Sequence, residues 1–132
     1  MALRRLRILV IPASLLLAVV AALPASAAAP RDLTVSGRCS GTSVTDLQIG
    51  REDNGKLSID FGVDMARHAS GIAWRVSMTD NGIVIANVTV RTIADGSFSI
   101  TRLISPRPGA NHIVARARRV TTGEICRLSA TA

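Results

Sequence analysis

Few side chains in this sequence have the chemistry for catalysis or metal binding. The chain has only two histidines, His68 and His112, and His68 lies close to Ser70 in the segment RHASG. A serine–histidine–acid triad usually presents its serine in a motif such as G-x-S-x-G, which does not occur here. The two histidines together with Cys39 and Cys126 do not have the ligand spacing of a zinc site. We therefore expect no catalytic residue, no metal site and no cofactor, and predict that the protein is not an enzyme.

An arginine cluster is the stronger candidate for chemistry. Arg116, Arg118 and Arg119 lie close together in the segment ARARRVTTGEIC, and Arg107 lies in the loop SPRPG. Guanidinium groups bind phosphate and carboxylate, so these four arginines form the candidate binding surface. Apolar residues alternate with the cluster at Ile113, Ala115 and Ala117. This alternation favours the interpretation that Arg116 and Arg118 are the solvated side of an amphipathic strand, and a weak contact with an anionic wall polymer or lipid head groups is the alternative. Aromatic residues make up only 2% of the chain, which argues against a base-stacking nucleic-acid surface.

Acidic residues provide predicted partners for some of the arginines. Asp60 and Asp64 share the outward side of one predicted strand, and we expect Arg75 and Arg91 to lie across from them on neighbouring strands. We predict cross-strand ion pairs between these aspartates and arginines. We also expect Glu124 to balance the charge of the arginine cluster nearby.

The amino-terminal segment predicts the compartment. Three arginines in MALRRLR are followed by a long apolar run and by the small-residue site ASA. A basic segment, an apolar segment and an A-x-A site together make a secretory signal peptide. We predict a signal peptide at 1–28, one domain at 29–132, and a secreted, extracellular protein with no membrane segment after cleavage. Loss of the leader lowers the formal net charge from +7 to about +4.

The cysteines predict a disulfide. Two cysteines in an exported chain are typical of one structural bond. Since there are no other cysteines, Cys39–Cys126 is the only pairing within the chain. The bond would close a loop that spans most of the domain, and the chain-entropy model assigns such a loop about 4–5 kcal/mol as an upper value.

The domain that follows the leader has the pattern of β-strands. Apolar and polar residues alternate in LSIDFGVD and in IAWRVSMT, which predicts strands with one buried face and places Trp74 on that face. Asn-Gly at 54–55 and 81–82 predicts hairpin turns. The main strands are predicted near 44–51, 57–65, 72–80, 83–93, 97–104, 111–119 and 125–131, with a short strand at 32–38. The predicted fold class is all-β, a single sandwich of about seven to eight antiparallel strands.

Four segments resemble small secreted actinobacterial proteins with an immunoglobulin-like or fibronectin type III-like β-sandwich. These segments are GRCSGTS, GIAWRVSMTDNG, DGSFSITRLI and PGANHIVARARRVTTGEICR. The resemblance covers most of the chain after the leader and is most specific around Trp74 and in the ending TTGEIC. It implies an exported domain in which the first cysteine pairs with the last. These proteins are largely uncharacterised, so the resemblance implies no catalytic residue.

Three functions from different classes fit these features. The favoured one is a non-catalytic extracellular module that binds a cell-wall component, such as an anionic wall polymer, or another extracellular protein. The second is a secreted protease inhibitor that inserts the loop 105–109, with Arg107, into a protease. The third is a carrier that holds a small apolar ligand between its sheets. The sequence does not indicate an oligomeric state.

Overall fold

A computed structural model describes residues 32–132, and the predicted signal peptide at 1–28 lies outside the described residues. The described residues form eight β-strands and no helix. The strands are β1 (Leu33–Arg38), β2 (Val44–Arg51), β3 (Leu57–Asp64), β4 (Ala73–Asp80), β5 (Ile83–Arg91), β6 (Ser97–Ile104), β7 (His112–Arg119) and β8 (Ile125–Thr131). All the predicted strands are confirmed. Nothing in this part of the chain is a long apolar helix of the kind that crosses a lipid bilayer.

The strands form two antiparallel sheets of four. The first sheet has the order β1-β2-β3-β6 and the second has the order β5-β4-β7-β8. The connections from β3 to β4, from β5 to β6 and from β6 to β7 each lead from one sheet to the other. The two sheets pack face to face around one core. This confirms the predicted all-β sandwich. Because successive side chains of a strand point to opposite faces, each sheet has an inner face and an outer face.

The core lies between the sheets and is apolar. Trp74 of β4 is completely buried, and its ring centroid lies 5.8 Å from that of Phe98 on β6. Other buried side chains of the inner faces include Leu47, Ile49, Ile59, Phe61, Val63, Val76, Met78, Ile113, Ala115 and Ala117. The prediction that Trp74 occupies the apolar face of its strand is confirmed, as is the inward direction of the apolar residues of β7.

Two Asn-Gly sequences form the predicted hairpin turns. Between β4 and β5, Asn81 (φ 49°) and Gly82 (φ 82°) both have positive φ, which a type I′ turn requires and which these two residue types tolerate best. Gly55, between β2 and β3, also has positive φ (79°). Asn81 connects its turn to the loop between β6 and β7, because its Nδ2 donates to the carbonyl of Ala110 (3.1 Å) and its Oδ1 accepts from the amide of His112 (2.9 Å).

The predicted disulfide joins the two sheets along one edge. Cys39, directly after β1, is bonded to Cys126 of β8, with the two Cα atoms 4.2 Å apart. Immunoglobulin domains instead bond two inner strands beside their tryptophan. Glu124 reinforces the same edge, because its carboxylate accepts hydrogen bonds from the amide (3.0 Å) and the hydroxyl (3.1 Å) of Ser43. The start and the end of the domain are therefore held together by one covalent bond and by polar contacts.

Candidate functional site

On the outer face of the second sheet, the adjacent strands β4, β7 and β8 carry four exposed arginines, and Arg91 of β5 lies on the same face opposite Ala73. Arg75 of β4 lies directly opposite Arg118 of β7, and Arg116 of β7 lies directly opposite Arg127 of β8. All four side chains are exposed. We call this surface the arginine face.

Local alternation directs these arginines outward. Arg75 lies between the buried Trp74 and Val76 of β4, so its side chain points away from the core. On β7 the buried alanines 115 and 117 have the same effect on Arg116 and Arg118. On β8 the buried, disulfide-bonded Cys126 precedes Arg127. The antiparallel pairing of β4, β7 and β8 then brings the four arginines together.

The arginine face has no acidic partner. All nine aspartates and glutamates of the chain lie within 32–132, and the one ion pair within that range joins Asp80 to Arg107. The predicted pairing of Asp60 and Asp64 with Arg75 is wrong, because β3, which carries both aspartates, belongs to the other sheet.

The other expected ionic contacts are also absent from the described residues. Arg91 forms no ion pair there, and its guanidinium donates to the carbonyl of Gly71 (2.9 Å). Glu124 lies next to the arginine cluster, since its backbone carbonyl accepts from the amide of Arg119 (2.9 Å). Its carboxylate is bound to Ser43 and forms no salt bridge within 32–132.

The electrostatics of the arginine face favour an anionic ligand. Side chains directly opposite each other in an antiparallel pair have Cβ atoms about 4.5–5.5 Å apart, and like charges at this distance destabilise the sheet. Arg75–Arg118 and Arg116–Arg127 are two such pairs. Each guanidinium presents a fork of N–H donors that matches two oxygens of a phosphate or carboxylate. A bound anion would therefore accept hydrogen bonds from the guanidinium groups and would also reduce the repulsion between the paired arginines.

Two arginines of the predicted binding surface lie elsewhere. Arg119 is opposite Trp74, on the side of β7 that faces inward, and is partly buried. Arg107 directs its Nε toward the carboxylate of Asp80, at 3.5 Å, and the amide of Arg107 donates to the side chain of Asn111 (3.1 Å). The structure thus brings Arg116 and Arg118 together and places Arg107 and Arg119 away from them.

The sequence prediction did not include Arg75 and Arg127 in the binding surface. The outward direction of both side chains could be predicted from their neighbours in sequence, since Arg75 follows Trp74 and Arg127 follows Cys126. Their position beside Arg116 and Arg118 depends on strand order and register, which no local pattern contains.

The histidines lie at opposite ends of the sandwich. His112 begins β7, and its Nδ1 is 3.0 Å from the hydroxyl of Thr131. His68 lies in the loop before β4, on an open groove that also includes Asp95. Hydrogen bonds from the side chain and the amide of Ser97 lower the pKa of Asp95, and the charge of His68 contributes. Within 32–132 no group of three His, Cys, Asp or Glu side chains is arranged to hold a metal ion.

The outer face of the first sheet is acidic. It carries the four aspartates Asp32, Asp46, Asp60 and Asp64, and we call it the aspartate face. Asp46 of β2 lies directly opposite Gly62 of β3, and Asp60 and Asp64 lie two positions to either side of that glycine. An open groove is lined by Asp46, Asp60 and Asp64 and also by Arg91. On β1, Arg38 shares this outer face.

Comparison of the chain with protein-family models, with curated proteins and with solved structures found no match.

Proposed function

We propose that this protein is a secreted, non-catalytic β-sandwich module that binds an anionic cell-wall polymer through the arginine face. The observation that carries this proposal is the set of four exposed arginines on β4, β7 and β8, with no acidic side chain paired to any of them within 32–132. A solvated face needs no such concentration of one charge, since mixed charges keep a surface equally soluble.

The spacing of the arginine face suits a ligand with repeated negative charges. Neighbouring strands are about 4.8 Å apart, and residues two positions apart on one strand are separated by about 6.8 Å. Arg116 and Arg118 lie two positions apart on β7, and Arg75 and Arg127 extend the surface to the strands on either side. Several adjacent phosphates or carboxylates of one polymer chain can therefore contact the face together, and each charged hydrogen bond contributes about 1.5–3 kcal/mol at most.

Polar neighbours add to the recognition surface. Ser77 lies directly opposite both Arg116 and Asn87, and Thr89 lies opposite Arg75. Hydroxyl and amide groups bind the uncharged oxygens of a sugar or polyol. This combination supports a polymer that alternates anionic groups with hydroxyl groups.

An extracellular location is part of the proposal. The leader-like sequence at 1–28 is the argument for export, and the Cys39–Cys126 disulfide is compatible with it because such bonds persist in oxidising compartments.

Protease inhibition and ligand transport remain predictions with less support. Arg107, which would enter a trypsin-like pocket, is engaged by Asp80 instead of projecting freely from its loop. The space between the sheets is occupied by large side chains such as Trp74, Phe61 and Leu47, all completely buried. Binding of another extracellular protein through the arginine face would need an acidic surface on that partner.

The test is binding of the purified protein to a soluble poly(glycerol phosphate), measured by calorimetry at low and high salt. Replacing Arg75 and Arg127 with glutamine should weaken binding at least about tenfold, equivalent to about 1.4 kcal/mol. Binding by the parent should weaken steeply as salt increases, because exposed charges are screened over about 8–10 Å at ordinary ionic strength.

A matched control removes two charges elsewhere. Arg51 and Arg67 are exposed and do not belong to the arginine face, so Arg51→Gln with Arg67→Gln changes the net charge equally. This control should bind like the parent. Equal losses in both double variants would mean that only net charge matters, and the arginine face would not be a site.

A further inference from the structure

The two outer faces of the sandwich carry opposite charges. The arginine face belongs to the second sheet and the aspartate face to the first, so they lie on opposite sides of the molecule. Within 32–132 none of these charged side chains forms a salt bridge. We infer that the two faces bind each other between copies of this chain, the arginine face of one copy docking on the aspartate face of the next. This inference goes beyond polymer binding, since the partner is the protein itself.

The aspartate face has an open groove whose lining includes the carboxylates of Asp46, Asp60 and Asp64. Gly62 has no side chain in the middle of the central strand β3, and a Cβ atom there would lie 2.9 Å from Oδ1 of Asp46. The carboxylate of Asp46 therefore lies over the backbone of β3, between Asp60 and Asp64. Three carboxylates around one glycine offer the oxygens that a guanidinium binds in a bidentate manner.

Docking relieves unfavourable contacts on both surfaces. Asp46 and Asp64 accept no side-chain hydrogen bond from the described residues, whereas Asp60 accepts one from the hydroxyl of Thr101. On the other face, Arg116 and Arg127 directly oppose each other. The aspartates of one face repel each other, and so do the arginines of the other face. Contact between the two faces adds attraction between opposite charges, and complementary potentials also increase the association rate.

The geometry of the contact determines the kind of assembly. The two surfaces are different and lie on opposite sides, so the contact is heterologous and leaves one free face at each end. Repetition then produces an open stack of sandwiches rather than a closed dimer. Arg91, which also lines the groove, and Arg38 on β1 are repulsive toward an incoming arginine face, so docking is directed to the carboxylates around Gly62.

Sedimentation velocity of the purified, oxidised protein without any polymer tests this inference. At about 20 mM salt the average mass should rise with protein concentration, and at about 0.5 M salt it should return to that of a monomer, because screening is then strong. Asp46→Lys with Asp64→Lys blocks the aspartate face, and Arg116→Gln with Arg118→Gln removes two charges from the arginine face, so that the two altered faces do not attract each other. Each double variant alone should remain monomeric. An equimolar mixture should form a dimer and nothing larger, because each variant retains one intact, complementary face.

The control is Arg67→Glu with Asp53→Lys, two exposed positions outside both faces, which should assemble like the parent. The mixture of blocked variants also checks that both are folded, since neither could dock otherwise. A parent that stays monomeric at low salt, or blocked variants that fail to combine although their tryptophan fluorescence is that of the parent, would overturn the inference. Neither result affects polymer binding, which is measured separately.

Discussion

Arg116 of β7 lies directly opposite Arg127 of β8 on the solvent side of the second sheet, and one position further along β7 the buried Ala117 lies opposite Cys126. The disulfide-bonded cysteine and the arginine that follows it therefore point to opposite faces of β8. The inner face of β8 stabilises the fold, and its outer face places Arg127 beside Arg116 of β7. Removing one charge of such a pair should leave the core unaffected.

Arg127→Ser should raise the free energy of unfolding in urea by about 0.2–1 kcal/mol, because it removes a repulsive cross-strand pair. The gain should shrink as salt increases. Arg51→Ser, at the exposed end of β2, is the control and should change stability less. A loss of stability in Arg127→Ser would show that Arg127 forms a favourable contact that compensates for the repulsion.

Trp74→Ala should lower the free energy of unfolding by about 3–5 kcal/mol, the usual cost of deleting a large buried aromatic side chain. Trp74→Phe should cost less, because the indole N–H of Trp74 is buried without an acceptor among the described residues and its removal leaves no polar group unpaired. Urea unfolding followed by circular dichroism gives both values. Since Trp74 is the single tryptophan, the parent should also show blue-shifted emission, and a red-shifted spectrum would contradict the burial.

Removal of the Cys39–Cys126 bond should reduce stability by about 2–5 kcal/mol. Mass spectrometry without reductant should first show a peptide that links the two cysteines. Urea unfolding of a Cys39→Ser, Cys126→Ser variant then measures how far the free energy of unfolding falls without the bond. Glu124→Gln is an informative companion, because it weakens the hydrogen bonds to Ser43 at the same edge without breaking the covalent bond. A stability loss as large in Glu124→Gln as in the double serine variant would show that the polar contacts dominate.

Asp80 and Arg107 should be energetically coupled. The side chain of Asp80 is 1% exposed and that of Arg107 is 41% exposed, so Arg107→Gln leaves a buried carboxylate without its cation. We expect a loss of about 1–3 kcal/mol. Adding Asp80→Asn should restore part of that loss, because the unpaired charge is gone, and a double-mutant cycle isolates the coupling. Strictly additive effects would contradict the pair.

The Asp95 carboxyl should titrate below its ordinary pKa of 3.8, because the hydroxyl of Ser97 (2.6 Å) and the amide of Ser97 (2.9 Å) donate to its charged form. A lowered folded-state pKa stabilises the fold above pH 3.8, and this contribution is lost as the pH falls through the folded-state pKa. Carbon-13 NMR titration measures it directly. Ser97→Ala should move the pKa toward 3.8, and Ser99→Ala should not.

The sequence alone determined the elements and much of the core. Alternation with a period of two is a local property that each strand carries in its own residues, so the eight strands and the inward direction of Trp74 were predictable. The Asn81-Gly82 turn was equally local, because it depends on which residues tolerate positive φ. The disulfide followed from a count of two cysteines.

Only the tertiary structure decided which charged residues are neighbours. Asp60 and Arg75 occupy outward positions of strands that were both correctly predicted, yet they lie on opposite sides of the molecule because β3 and β4 belong to different sheets. Arg75 and Arg127 join Arg116 and Arg118 for the same kind of reason, since strand order and register are set by packing of the whole core. The face to which a side chain points is encoded within its own strand. Its neighbours on adjacent strands depend on contacts between residues far apart in sequence.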